Sequence, residues 1–255
     1  MSEVVVKKRE DGVATLTLSA PSRRNALTSE MADSILAACD DIDEDPSVGA
    51  VVILSDGPTF CAGAHRDVLA AVAQNPVADE AYRTLDRIYQ SFLRITRLLP
   101  PTVAAVRGAA VGAGLNLVLS TDLRIVADDA KLVSGFIPLG AHPGGGHFTL
   151  LTRSAGREAA AAIGLFGDSL TGAQAVAIGM AWRCAPSDEV EGLAFELAAT
   201  AAADPALARR TARSFRLEAN SIGMALDAAV QAEQSVQMWS FHRGTLRDQA
   251  TATQA

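Results

Sequence analysis

Cysteine, histidine and aromatic residues are scarce in this chain. Among 255 residues there are 3 Cys, 4 His, 2 Trp, 2 Tyr and 8 Phe. Cys39, Cys61 and Cys184 are an odd set with no CxxC spacing, which predicts reduced thiols in a cytoplasmic protein, the alternative being a secreted protein with one disulfide and one free thiol. His65, His142, His147 and His242 are the histidines, and His142 and His147, five apart, have no cysteine near them, so no metal is expected. A basic excess is also missing: 22 Lys+Arg face 29 Asp+Glu, a net charge of −7. A general nucleic-acid surface needs the opposite balance. The most apolar stretch, 103–119, is interrupted by Arg107 and Asn116 and is too polar to span a membrane. No basic stretch followed by an apolar run opens the chain, so no signal peptide is expected. There is no GxGxxG, P-loop or GxSxG motif, no low-complexity tract and no fixed-period repeat.

What the chain does have is apolar content, 49% of residues, enough for one large domain or two modest ones. Two alternating runs, at 4–6 and 13–18, flank Asp11-Gly12 and predict a hairpin. Thr28 stands where it can cap a helix whose apolar positions Met31, Ile35, Ala38 and Ile42 recur at helical spacing. Short apolar runs at 48–54, 102–106, 123–127 and 131–133 read as strands, and 79–98 as a helix ended by Pro100-Pro101. Beyond about residue 155 the pattern predicts helix almost throughout, at 157–165, 172–178, 188–203, 205–220 and 224–241. The reading is one α/β unit with a helical extension, divided into a core at 1–195 and a C-terminal helical region at 196–255.

Two small-residue turns join a strand to a helix start, Ala62-Gly63-Ala64 and Gly112-Ala113-Gly114. Helix starts present unpaired N–H groups, and small residues let a ligand approach them. Two such groups converging would form an oxyanion hole. Tight strand–helix packing explains the same glycines more simply.

As a set, the following blocks resemble the crotonase, or enoyl-CoA hydratase/isomerase, superfamily: Asn25-Ala26-Leu27, Asp45-Pro46, Phe60-Cys61-Ala62-Gly63-Ala64, 108–114 running into Thr121-Asp122-Leu123-Arg124, 140–146 and 172–179. The resemblance covers the chain to about residue 215. It implies a spiral of ββα units followed by a helical trimerisation region, and a homotrimer or hexamer. It implies an acyl-CoA thioester substrate, with coenzyme A entering as part of that substrate and no prosthetic group. Thioester enolates would be stabilised by the N–H groups of Ala64 and Ala113. Arg24, Ala26, Ala62, Ala64, His65, Arg66, Ala113, Phe136 and Leu139 would line the CoA and acyl site, with Arg24 and Arg66 on phosphate.

Where hydratases of the superfamily carry two glutamates, this sequence has Asn116 and Phe136. Neither can take a proton from water. His142, two residues after Gly140, is the expected replacement, and its ordinary pKa near 6.5 suits the task. His147, one turn further on, is read as facing the packing side. The resemblance therefore implies hydration or isomerisation of an enoyl-CoA by an unusual acid/base. A non-catalytic acyl-CoA binding protein on the same scaffold is the alternative. The tail 239–243 lacks the usual basic cluster, so a C-terminal lid over CoA is not expected.

Overall fold

A computed structural model describes residues 3–220. The expected helix at 224–241, His242 and the tail at 239–243 lie outside the described residues. Strands β1 (Val4–Lys8) and β2 (Val13–Leu18) form the predicted hairpin, paired antiparallel from Val4–Leu18 to Lys8–Ala14. Helix α1 (Ser29–Glu44) begins at Thr28, whose hydroxyl accepts the Met31 N–H at 3.2 Å. It buries Met31, Ile35, Ala38, Cys39 and Ile42, the stripe read from the sequence. Strand β3 (Ala50–Ser55), helices α2 (Arg66–Gln74) and α3 (Asp79–Ile95), and strand β4 (Thr102–Val106) follow.

A short strand, β5 (Ala109–Val111), leads into the Gly112 turn, and helix α4 (Ala113–Leu119) starts after it. Strands β6 (Leu123–Ala127) and β7 (Lys131–Val133) have the bounds read from the sequence. Helix α5 (His147–Gly164) starts ten residues earlier than the expected 157–165, and it contains a break at Gly156, φ 80 and ψ 174. That break is what confines the visible helical pattern to the second half.

The C-terminal third is not all helix. Two three-residue strands, β8 (Ser169–Thr171) and β9 (Arg183–Ala185), flank α6 (Gly172–Ala177). Each is too short to show a period of two, and each is made into a strand by its partner. Then come α7 (Val190–Ala202) and α8 (Pro205–Asn220). The main sheet has the order β1-β2-β3-β4-β6-β9, parallel apart from the first pair, and β5-β7-β8 form a second sheet. Both faces of the parallel strands are covered, which is why β3 and β4 read as continuous apolar runs. Helix α7 lies against β3, β4 and β6 through Val190, Ala194, Ala198 and Ala202, spaced four apart. The division drawn at residue 195 falls inside this helix.

Helix α8 is held by two arginines. Arg209 donates to the carbonyls of Ile42, Asp43, Asp45 and Val48, closing the C-terminal end of α1. Arg216 pairs with Asp122 and donates to the carbonyls of Leu98 and Pro100. Asp122 also accepts from the Thr102 N–H (2.8 Å) and hydroxyl (2.9 Å), so one carboxylate ties β4, the start of β6 and α8 together.

Candidate active site

The two small-residue turns meet in space. The segment before the first runs beside β5: the Cys61 N–H donates to Ala109 O at 3.1 Å and the Val111 N–H to Cys61 O at 3.0 Å. Leu27 braces the other side, donating to Gly63 O at 2.7 Å and accepting from the His65 N–H at 2.8 Å. The packing is close enough to require glycine. A Cβ on Gly63 (φ +89) would fall 2.7 Å from Val111 O and 3.6 Å from the Ala113 nitrogen. A Cβ on Gly114 would fall 2.3 Å from Cys61 O. Among the described residues neither the Ala64 N–H nor the Ala113 N–H has an acceptor. Ala113 opens α4, where a backbone donor has no partner within the helix.

Below this junction lies a cleft of about 590 Å³ lined by Arg24, Ala26, Ala62, Ala64, His65, Arg66 and Val111, among others. Six of the residues named from the sequence are thus brought together. Asn25 pins the wall. It is fully buried with φ +53, its Nδ2 donates to Asp56 O and Thr59 O, and its Oδ1 accepts the Ala20 N–H. Arg23 is engaged by Glu3, whereas Arg24 and Arg66 are exposed and make no ion pair among the described residues. His65 caps α2, its Nδ1 accepting the Asp67 N–H at 3.3 Å.

A second, buried cluster adjoins the turn at Gly112. Asn116, one helical turn after Gly112 in α4, is 1% exposed. Its Nδ2 donates to Gly144 O at 3.1 Å, which fixes the amide orientation and leaves Oδ1 facing His147 Nδ1 at 2.7 Å. An amide oxygen only accepts, so Nδ1 carries the ring proton. His147 Nε2 then accepts the hydroxyl of Ser134 at 2.8 Å. His147 and Ser134 are each 1% exposed. The Phe136 ring stands edge-on to His147, centroids 4.9 Å apart, and reaches the Gly112 turn. Burial pushes His147 down to about 4, so the ring is neutral near pH 7.

Ala113, Asn116 and Phe136 therefore belong to this cluster. Two residues named from the sequence lie apart from both groups. Leu139 is exposed on a 3-10 turn, and His142 is exposed on the following loop, its Nδ1 2.7 Å from Pro143 O. Sequence alone gives His147 a packing role and does not single out Ser134. The one available signal is a histidine at the end of a glycine-rich turn that also follows an asparagine in an apolar helix.

Comparison with known proteins gives a consistent picture. A family model described as enoyl-CoA hydratase/isomerase matches residues 8–252. A Mycobacterium tuberculosis protein named "Probable enoyl-CoA hydratase EchA14" is 41% identical over 239 residues, covering 90% of this chain and 91% of that one. The 1,2-epoxyphenylacetyl-CoA isomerase of Escherichia coli is 33% identical over 206 residues, covering 80% and 78%. Among solved structures, an enoyl-CoA hydratase from Polaromonas sp. JS666 superposes with a TM-score of 0.88 at 25% identity, covering 98% of this chain and 96% of its own. The chain belongs to the enoyl-CoA hydratase/isomerase family and has the crotonase fold.

Proposed function

We propose that the protein is an acyl-CoA enzyme that holds a thioester oxygen on the Ala64 and Ala113 N–H groups and hydrates or isomerises an enoyl-CoA. The observation that carries this reading is the pair of unpaired backbone donors at the junction above the cleft. Donors fixed by packing need no reorganisation as charge develops on oxygen, and each is worth about two orders of magnitude in rate in comparable sites. The cleft wall at Ala26, Ala62 and His65 takes the pantetheine arm, and Arg24 and Arg66 take phosphate. Coenzyme A arrives with the substrate, so the reaction needs no prosthetic group.

Asn116 and Phe136 occupy the positions of the two glutamates that activate water in hydratases of the superfamily, and neither can titrate. That favours reactions moving a substrate proton over those activating water, and isomerisation is the leading reaction. The relative named as an isomerase, at 33% identity, supports the same direction. The assembly proposed is a homotrimer or a hexamer, to be measured by sedimentation.

The test supplies crotonyl-CoA, longer 2-enoyl-CoAs and 3-enoyl-CoAs and follows the change in conjugated-thioester absorbance, with calorimetry on the same esters. Turnover of a 3-enoyl-CoA exceeding hydration of crotonyl-CoA is expected. Tight binding of every ester with turnover of none would reverse the reading to a non-catalytic acyl-CoA binding protein.

A further inference from the structure

The Ser134–His147–Asn116 chain is a buried polar network in which, among the described residues, no carboxylate takes part. Each bond has a defined direction. Asn116 Oδ1 accepts from His147 Nδ1–H, so Nε2 holds the lone pair that accepts from Ser134. The amide of Asn116 is itself locked by Gly144 O. This is an orienting group, a base and a hydroxyl in series, each link 2.7–2.8 Å long. A structural role alone needs one satisfied bond per ring nitrogen. The network meets that need, and its place beside the turn that carries Ala113 is what points beyond it.

The network and the Ala113 donor share helix α4 and the Gly112 turn. Helix α4 carries Ala113 at its first position and Asn116 one turn on. The strand leading to Ser134 bonds the same turn, with the Gly112 N–H donating to Val133 O at 2.9 Å. A Cβ built on Gly112 would lie 3.4 Å from Ser134 O and 3.8 Å from the Phe136 ring.

Resting on the oxyanion reading above, we propose that Ser134 is the catalytic proton-transfer residue of this enzyme, with His147 and Asn116 as its positioning and activating residues. The substrate's Cα–H bond breaks and its proton goes to Ser134 Oγ. The Ser134 hydroxyl proton passes to His147 Nε2. The C–H electron pair enters the enolate, whose oxygen rests on the Ala64 and Ala113 N–H groups. Returning the proton to Cα gives exchange with solvent over repeated cycles, and returning it to Cγ of an enoyl chain gives isomerisation. No oxidant, metal or added nucleophile is needed. The imidazolium that forms is offset by the enolate in the same dry site, where opposite charges attract strongly. Phe136 and Phe148 wall the ring; Tyr89 packs over the 144–145 turn, and His142 stands beyond Phe148, ring centroids 6.4 Å apart.

The test uses a partial reaction that does not require the natural substrate. Butyryl-CoA is incubated with the full-length protein in D2O, and deuterium entering Cα is followed by NMR. Wild type is expected to exchange the α-hydrogens. Ser134→Ala and His147→Gln are expected to slow exchange by about 100-fold or more, with the calorimetric Kd for butyryl-CoA changed less than about threefold. Asn116→Asp places a carboxylate on Nδ1–H and should move the pH–rate profile to higher pH, which a merely structural network would not do. Melting curves accompany each variant. Ser134→Ala removes a single oxygen, and so reports even where His147→Gln folds poorly.

Exchange retained in folded Ser134→Ala overturns the proposal. So does loss of exchange in His142→Ala with retention in His147→Gln. Wild type that binds butyryl-CoA without any exchange overturns the enolate reading itself, and is thereby distinct from failure of the three-residue assignment.

Discussion

His147 stands well away from its ordinary chemistry. Its ring is buried and both nitrogens are engaged, and burial holds it at about 4 against an ordinary 6.5. The unfolded chain binds this proton below pH 6.5 and the folded chain does not until about pH 4. Stability from this group is therefore complete above pH 6.5 and is lost as pH falls toward 4. The difference corresponds to about 3 kcal/mol. Urea unfolding at pH 7 and pH 4.5 should show wild type losing more stability than His147→Gln, by about 2–3 kcal/mol. Equal acid sensitivity in the two would mean the ring is solvated.

At the scale of elements, the site depends on how closely α4 lies against the 60–64 segment. Gly114→Ala puts a methyl 2.3 Å from Cys61 O, so the two turns must separate. Overpacking of this kind costs about 1–3 kcal/mol. The expected outcome is a stable protein with turnover reduced at least tenfold, because two donors that no longer converge lose their joint hold on one oxygen. Turnover unchanged in Gly114→Ala would show that the Ala64 and Ala113 donors do not act on one oxygen. Arg216→Ala probes a different joint. It leaves Asp122 largely buried beside Thr102 without its cation and should cost about 3 kcal/mol in urea unfolding.

Elements with strong local signals were legible in the chain itself. The hairpin, the Thr28 cap, the stripe of α1 and strands β4, β6 and β7 follow from alternation, capping and apolar runs. Strands β8 and β9 were not, since three residues carry no period and their state is decided by β7 and β6. The cleft was legible in the same way, because its residues, Val111 apart, come from two short contiguous segments, 22–26 and 62–67. The Ser134–His147–Asn116 chain was not. Its members come from α4, the end of β7 and the start of α5, 13 and 31 residues apart, and no spacing rule joins them. His142 attracts attention because it stands next to a recognisable block; the hydrogen-bonded network runs through His147, whose burial no sequence pattern shows.

For the whole molecule the question is how an acidic protein takes an anionic ligand. The net charge is −7, so the long-range field opposes coenzyme A. On the proposed reading, binding rests on the two exposed arginines of the cleft, Arg24 and Arg66, acting at short range. Screening has a length of about 10 Å at 0.1 M salt, so added salt damps both the distant repulsion and these exposed contacts. Once phosphate is seated, the contacts outweigh the repulsion, and affinity should fall as salt rises. Ligand that binds only the folded state also raises stability, by about 2.7 kcal/mol at a hundredfold excess over Kd. For a chain of this size that is a rise in Tm of about 5–10 °C. We therefore expect butyryl-CoA to raise Tm by that amount at 50 mM salt and by distinctly less at 500 mM. In Arg24→Ala/Arg66→Ala the rise should be small at both salt concentrations, because the charge that made it salt-dependent is gone. A double variant that keeps the full, salt-sensitive rise would place the phosphate on other cations.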